Sequence, residues 1–80
     1  MRLDKYLKIS RIIKRRTVAN EACDAGKVEV NGKIARASYD VKEGDTVQIT
    51  LGEKKIRFKV TTVKEVVKKE DASTMYEYIE

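Results

Sequence analysis

The spacing of apolar residues changes period at Gly26. Before it they recur every three or four positions, and after it they alternate. Leu3, Tyr6 and Leu7 fall at i, i+3 and i+4, which predicts a first helix over residues 2–9 with one apolar side. Val18, Ala22 and Ala25 recur at i, i+4 and i+7, which predicts a second helix from about Thr17 to Ala25. Ala19 and Cys23 lie beside its buried stripe, and Asn20, Glu21 and Asp24 take its outer face. Thr17 is placed to cap this helix, its hydroxyl accepting from a backbone N–H two or three residues on. Gly26 stops it where a left-handed residue is wanted. Ile12 and Ile13, in the link that Ser10-Arg11 begins, are core anchors.

Beyond Gly26 the pattern is that of strands. Val28-Glu29-Val30-Asn31-Gly32-Lys33-Ile34 is a hairpin with an Asn-Gly primed turn. Residues 35–40 are irregular, with Tyr39 covering the core, and Gly44 sits in a turn. Thr46 to Leu51 alternates with Val47, Ile49 and Leu51 inward. Gly52-Glu53 turns the chain, and Lys54 to Val63 alternates again, with Ile56, Phe58 and Val60 inward and Lys55, Arg57 and Lys59 outward. That outward row reads equally as a second basic strip or as lysines blunting an edge strand. Residues 64–69 are ambiguous. After them Ala72, Met75, Tyr76 and Ile79 keep helical spacing, with Glu70 and Asp71 suited to a helix N-terminus. The expected fold is α+β: two short N-terminal helices packed on a small, bent, antiparallel-rich sheet, with a short C-terminal helix. Eighty residues without proline, repeat or linker make one small domain, 1–80, with a modest core.

Charge is distributed unevenly. Residues 1–69 hold all 18 Lys and Arg against nine acids, a net of +9, and residues 70–80 hold Glu70, Asp71, Glu77 and Glu80, a net of −4. The first sixteen residues carry Arg2, Lys5, Lys8, Arg11, Lys14, Arg15 and Arg16 against Asp4 alone, a net of +6. Such density favours a polyanion. Lys14, Arg15 and Arg16 stand at a helix N-terminus, whose unpaired N–H groups add to their charge. Arg16 is the principal expected contact and Arg2 its companion, with Asp4 holding one guanidinium in place. The acidic tail, residues 70–80, reads as repelling RNA from its own side or as binding a protein partner, and its deletion should not weaken ribosome association if the two helices carry the contact.

Other classes fit poorly. With no histidine and one cysteine there is no triad, zinc set or glycine-rich nucleotide loop, so neither catalysis nor a cofactor is expected. Asp40, Glu43 and Asp45 lack calcium-loop spacing, so no metal is expected. Cys23 reads as a small buried thiol, in keeping with a reducing cytoplasm. No apolar run suits a signal peptide or a membrane span. A membrane-surface helix would need Leu3, Tyr6 and Leu7, which the core requires. Glu21 and Asp24 on the second helix oppose entry into a DNA groove. A folded RNA backbone is the better partner.

Four blocks carry a resemblance: Arg2-Leu3-Asp4-Lys5-Tyr6-Leu7, Lys14-Arg15-Arg16-Thr17, Gly26-Lys27-Val28-Glu29-Val30-Asn31-Gly32 and Gly44-Asp45. In order and spacing they resemble the RNA-binding domain named after small-subunit ribosomal protein S-four. The motif covers 1–51, leaving an extra strand and acidic tail over 52–80. Among stand-alone members the chain is similar to the heat-shock-protein-fifteen group and its short relatives in ribosome quality control, and residues 68–76 share that likeness. The resemblance implies binding to a large ribosomal subunit stalled with peptidyl-tRNA. Partners would be 23S rRNA, tRNA, the ribosome and a quality-control protein that elongates the stuck chain's C-terminal tail. It implies no membrane and a monomer off the ribosome. A general rRNA- or tRNA-binding module in ribosome assembly or subunit recycling is the alternative. The family's RNA-facing positions correspond to Arg2, Asp4, Lys5, Arg15, Arg16 and Thr17, and the basic cluster adds Lys8, Arg11 and Lys14.

Overall fold

Asn31 and Gly32 both adopt positive φ, +53° and +83°, as a two-residue primed turn requires. They join β1 (Val28–Val30) to β2 (Lys33–Ile34), with Val30 opposite Lys33. The Asn31 side chain also pins the turn to a later strand. Its Oδ1 accepts from the Thr46 N–H at 2.9 Å, and its Nδ2 donates to Asp45 at 3.1 Å. A Cβ on Gly32 would meet open space, so Gly32→Val isolates backbone strain. It should cost about 1 kcal/mol or more and lower Tm by roughly 4–8 °C. An unchanged melt would show that this turn does not limit stability.

The chain is seen here as a computed structural model that describes residues 1–65 and 67–79. Val66, in the ambiguous stretch, and Glu80, in the acidic tail, lie outside the described residues. Strands β3 (Thr46–Leu51), β4 (Lys54–Val60) and β5 (Tyr76–Tyr78) complete an antiparallel sheet of order β2-β1-β3-β4-β5. Val47, Ile49, Phe58 and Val60 point inward and are fully buried. Leu51, expected inward, is 46% exposed, because it ends its strand opposite Lys54 beside the Gly52 turn. The alternation stops at Val60 rather than Val63.

The C-terminal segment departs most from expectation. A 3₁₀ helix spans Lys69–Met75 and buries Ala72 and Met75, which eclipse at i, i+3 in that tighter winding. Tyr76 then turns extended, and Tyr76 and Ile79 do not continue a helix. Instead β5 pairs with β4, Tyr76 opposite Val60 and Tyr78 opposite Phe58. The Tyr76 ring meets Phe58 edge-on at 5.7 Å, and Phe58 stacks on Tyr6 at 6.3 Å. β5 pairs with only the last three residues of β4, Phe58–Val60, so Lys59 lies inside the sheet while Lys55 and Arg57 lie on the stretch of β4 outside that register.

Two helices cover the inner face. α1 (Leu3–Ile9) buries Leu3, Tyr6 and Leu7 completely. α2 (Arg16–Asp24) begins one residue earlier than its spacing suggests, with extended Arg15 at the N-cap and no side-chain cap. Thr17 therefore sits exposed in the first turn rather than capping it. The buried stripe is Ala19 and Cys23, whereas Val18 is 48% exposed and Ala25 is exposed. Small residues four apart let α2 approach α1 closely, and the larger Val18 is left outside. Burial, then Asp4 and Asp24, push the Cys23 thiol up to about 11, which keeps it protonated and inert. Between the helices Arg11 takes a positive φ of 64°, and Ile13 is buried with Ile12 half-buried. Gly26 ends α2 at φ +77°.

Candidate nucleic-acid interface

The two helix starts differ in what they can offer an anion. The Leu3 N–H donates to the Tyr39 carbonyl at 2.8 Å and the Asp4 N–H to that of Ala37 at 3.2 Å. The irregular segment thus consumes the first donors of α1. In α2 the first helical bond runs from the Ala19 N–H to Arg15 at 3.1 Å, and the N–H groups of Arg16, Thr17 and Val18 meet no acceptor among the described residues.

Asp4 joins these two helix starts. It is 2% exposed. Its Oδ1 accepts from Arg2 Nε at 3.1 Å and from the Lys5 N–H at 2.8 Å. Its Oδ2 accepts from Arg2 Nη2 at 3.3 Å and from Asn20 Nδ2 at 3.1 Å, with Arg16 Nε at 3.5 Å. Burial alone would raise its pKa, but Arg2, Asn20, the Lys5 amide and Arg16 outweigh it and hold the carboxyl below its usual range. One carboxylate therefore anchors two arginines, each still half-exposed. The expected grip on one guanidinium extends to both, and the Asp4–Lys8 pairing that i, i+4 spacing allows is absent from the described bonds.

With Thr17, Asn20 and Glu21 these residues line an open groove of about 440 Å³. Asn20 was expected on the outer face but turns toward Asp4. Its signal was legible, because it lies four residues beyond Arg16 and so on the same side of α2. The remaining cations divide. Lys8, Arg11 and Lys14 line a second groove of about 480 Å³ beside Ile12, at the interhelical turn. Lys5 is ion-paired with Glu65, whose carboxyl it holds below its usual range. Arg15 is exposed at the N-cap of α2 and lines neither groove.

In the sheet's outer row Arg57 is hydrogen-bonded to a neutral side chain. Arg57 Nη2 donates to Gln48 Oε1 at 3.1 Å, and Gln48 Nε2 donates to Glu29 at 3.1 Å. Lys59 stands opposite Glu77. Among the described residues no group of three metal-ligating side chains converges, and no helix is long and apolar enough to cross a membrane.

Asp4→Asn tests the anchor. The folded pKa lies below the unfolded aspartate value of about 3.9, so the contribution is whole above that value. It disappears as pH falls through the folded pKa. The variant should lose about 1–2 kcal/mol at neutral pH and less at acid pH, where wild type has lost the same contribution. Melting curves across pH check this, and parallel profiles for the two proteins would contradict it.

A buried carboxylate holding two half-exposed arginines at a helix start marks a basic helix pair packed on a small sheet. The chain belongs to the S4 domain family, whose pattern matches residues 1–47. It is similar to the RQC P-site tRNA stabilizing factor of Halalkalibacterium halodurans, 56% identical over 77 residues that span 96% of this chain and 88% of that one. The protein of the same name in Streptococcus pneumoniae is 57% identical over 79 residues, 99% of this chain and 90% of that one. In three dimensions it matches Vibrio cholerae heat shock protein 15, solved as a trimer, with a TM-score of 0.90. That match is 26% identical and covers 99% of this chain and 81% of the other.

Proposed function

We propose that this protein binds RNA on the ribosome and stabilises P-site tRNA on a stalled large subunit, in ribosome quality control. The observation that carries this reading is the 57% identity, along 99% of this chain, to the streptococcal P-site tRNA stabilizing factor, in a chain whose two helix starts converge on one paired-arginine groove. Arg16 grips phosphate, since its planar fork reaches two oxygens at once. It stands where the free N–H groups of α2 add to its field. Arg2 is its companion. Thr17 offers a hydroxyl at the same place, and Lys8, Arg11, Lys14 and Arg15 extend the basic track. Asp4, spent on its donors, positions the two arginines rather than touching RNA. Lys5 contributes once phosphate displaces Glu65.

The chain acts without catalysis, as a monomer in the cytosol, where the ribosome is. It supports a partner that lengthens the stalled chain's tail. Sedimentation with purified large subunits that carry or lack peptidyl-tRNA tests this reading. Tighter binding to the tRNA-bearing subunits is expected. Equal binding would favour a general rRNA module in assembly or recycling.

A further inference from the structure

We propose that the Arg2–Arg16 groove also reads a base, with Glu21 accepting from the donor edge of an unpaired guanine in the RNA strand held by Arg16. This rests on the reading of that groove as an RNA site. Glu21 is exposed and lies four residues after Thr17, so both line the groove. The two acids there differ. Asp4 is satisfied by Arg2, Lys5, Asn20 and Arg16, whereas the Glu21 carboxylate has no hydrogen bond or ion pair among the described residues. It stays unengaged although two guanidinium groups line the same groove.

A groove that met only phosphate would be weakened by that carboxylate, because like charges repel. The acid is useful when the ligand brings donors of its own beside its phosphate. RNA bases do so on their edges, and bases splayed from loops, bulges and strand ends are read there. Guanine places the N1–H and an N2 hydrogen side by side on its pairing edge, which matches two carboxylate oxygens. Adenine offers an amine beside an acceptor, and that acceptor would face the carboxylate unfavourably. Asn20 spends its Nδ2 on Asp4, which leaves its oxygen as a further acceptor. Pairing would occupy the guanine edge, so the ligand is an unpaired guanosine nucleotide within RNA.

Fluorescence anisotropy with short labelled U-rich strands carrying a single central G, inosine or A tests this at low salt. The wild-type protein should bind the G strand about 10-fold more tightly than the A strand. Inosine, which lacks the N2 amine, should fall between them. Glu21→Gln, with its melt unchanged, should bind the A strand at least as well as wild type and lose the preference for G. Equal wild-type affinities, absent binding to every strand, or a G preference that survives Glu21→Gln would each overturn the proposal. Arg16→Ala separates the two claims. Equal weakening on all strands supports the phosphate groove, and wild-type binding by that variant removes the groove reading whatever Glu21 does.

Discussion

Arg16→Ala should cost most of the protein's RNA affinity while its melting temperature stays close to wild type. The side chain is half-exposed and lies 3.5 Å from Asp4. Asp4 keeps Arg2, Asn20 and the Lys5 amide when Arg16 is removed. The fold therefore loses one screened contact, and surface changes of this kind stay within about 0.5 kcal/mol. The RNA loses its strongest grip, because the guanidinium and the open N–H groups of α2 act at one place. A phosphate contact carries no sequence information, so binding should weaken about equally across RNA sequences. The log–log salt slope should flatten by about one contact's worth. Arg16→Lys should restore only part of the affinity, since an ammonium lacks the planar fork. Ribosome co-sedimentation at two salt concentrations and a melt on the same preparation check the prediction. Lost binding together with a collapsed melt would assign Arg16 to the fold instead.

A chain cut after Lys69 should show no cooperative melt at all. The segment it lacks looks from its charge like a detachable acidic tail, but it forms part of the core. Met75 is fully buried. Its carbonyl accepts from the Tyr6 hydroxyl at 2.7 Å and from the Thr61 N–H at 3.0 Å, which ties α1 to the end of β4. Strand β5 adds its pairing to β4 and places Tyr76 against Phe58. Removing a buried methionine side chain alone costs about 2–5 kcal/mol. A domain of this length has roughly 4–12 kcal/mol in total, and the cut also strips the outer pairing of β4. Circular dichroism during heating would show this, and a sharp transition near the wild-type temperature would contradict it. Deleting the tail therefore also removes the backing of the helix pair, since Met75 is buried beneath Tyr6.

The hairpin and both inner strands were legible because their signals are local. Asn31-Gly32 specifies a turn by its own backbone preference, and Val47, Ile49, Phe58 and Val60 mark one face by simple alternation. The rotation of α2 was not legible in the same way. Val18 is the more apolar residue, yet Ala19 and Cys23 are buried, since close approach to α1 favours small side chains over large ones. Strand β5 was hidden by its brevity. Tyr76-Glu77-Tyr78 does alternate, but three residues cannot outweigh helical spacing that runs on from Ala72 and Met75. At the site, the lone acid in a basic cluster pointed to Asp4 as an anchor. Its grip on both arginines depends on how the two helices pack, which no local pattern encodes. The separation of Lys5 from the other cations is also tertiary, because Glu65 reaches it from 60 residues along the chain.

Cross-linking the tagged protein to RNA in cells, then sequencing what is bound, measures the central claim most directly. Large-subunit rRNA together with tRNA is the expected catch for wild type, with both depleted in Arg16→Ala. Small-subunit rRNA alone would contradict a role in holding tRNA on the large subunit.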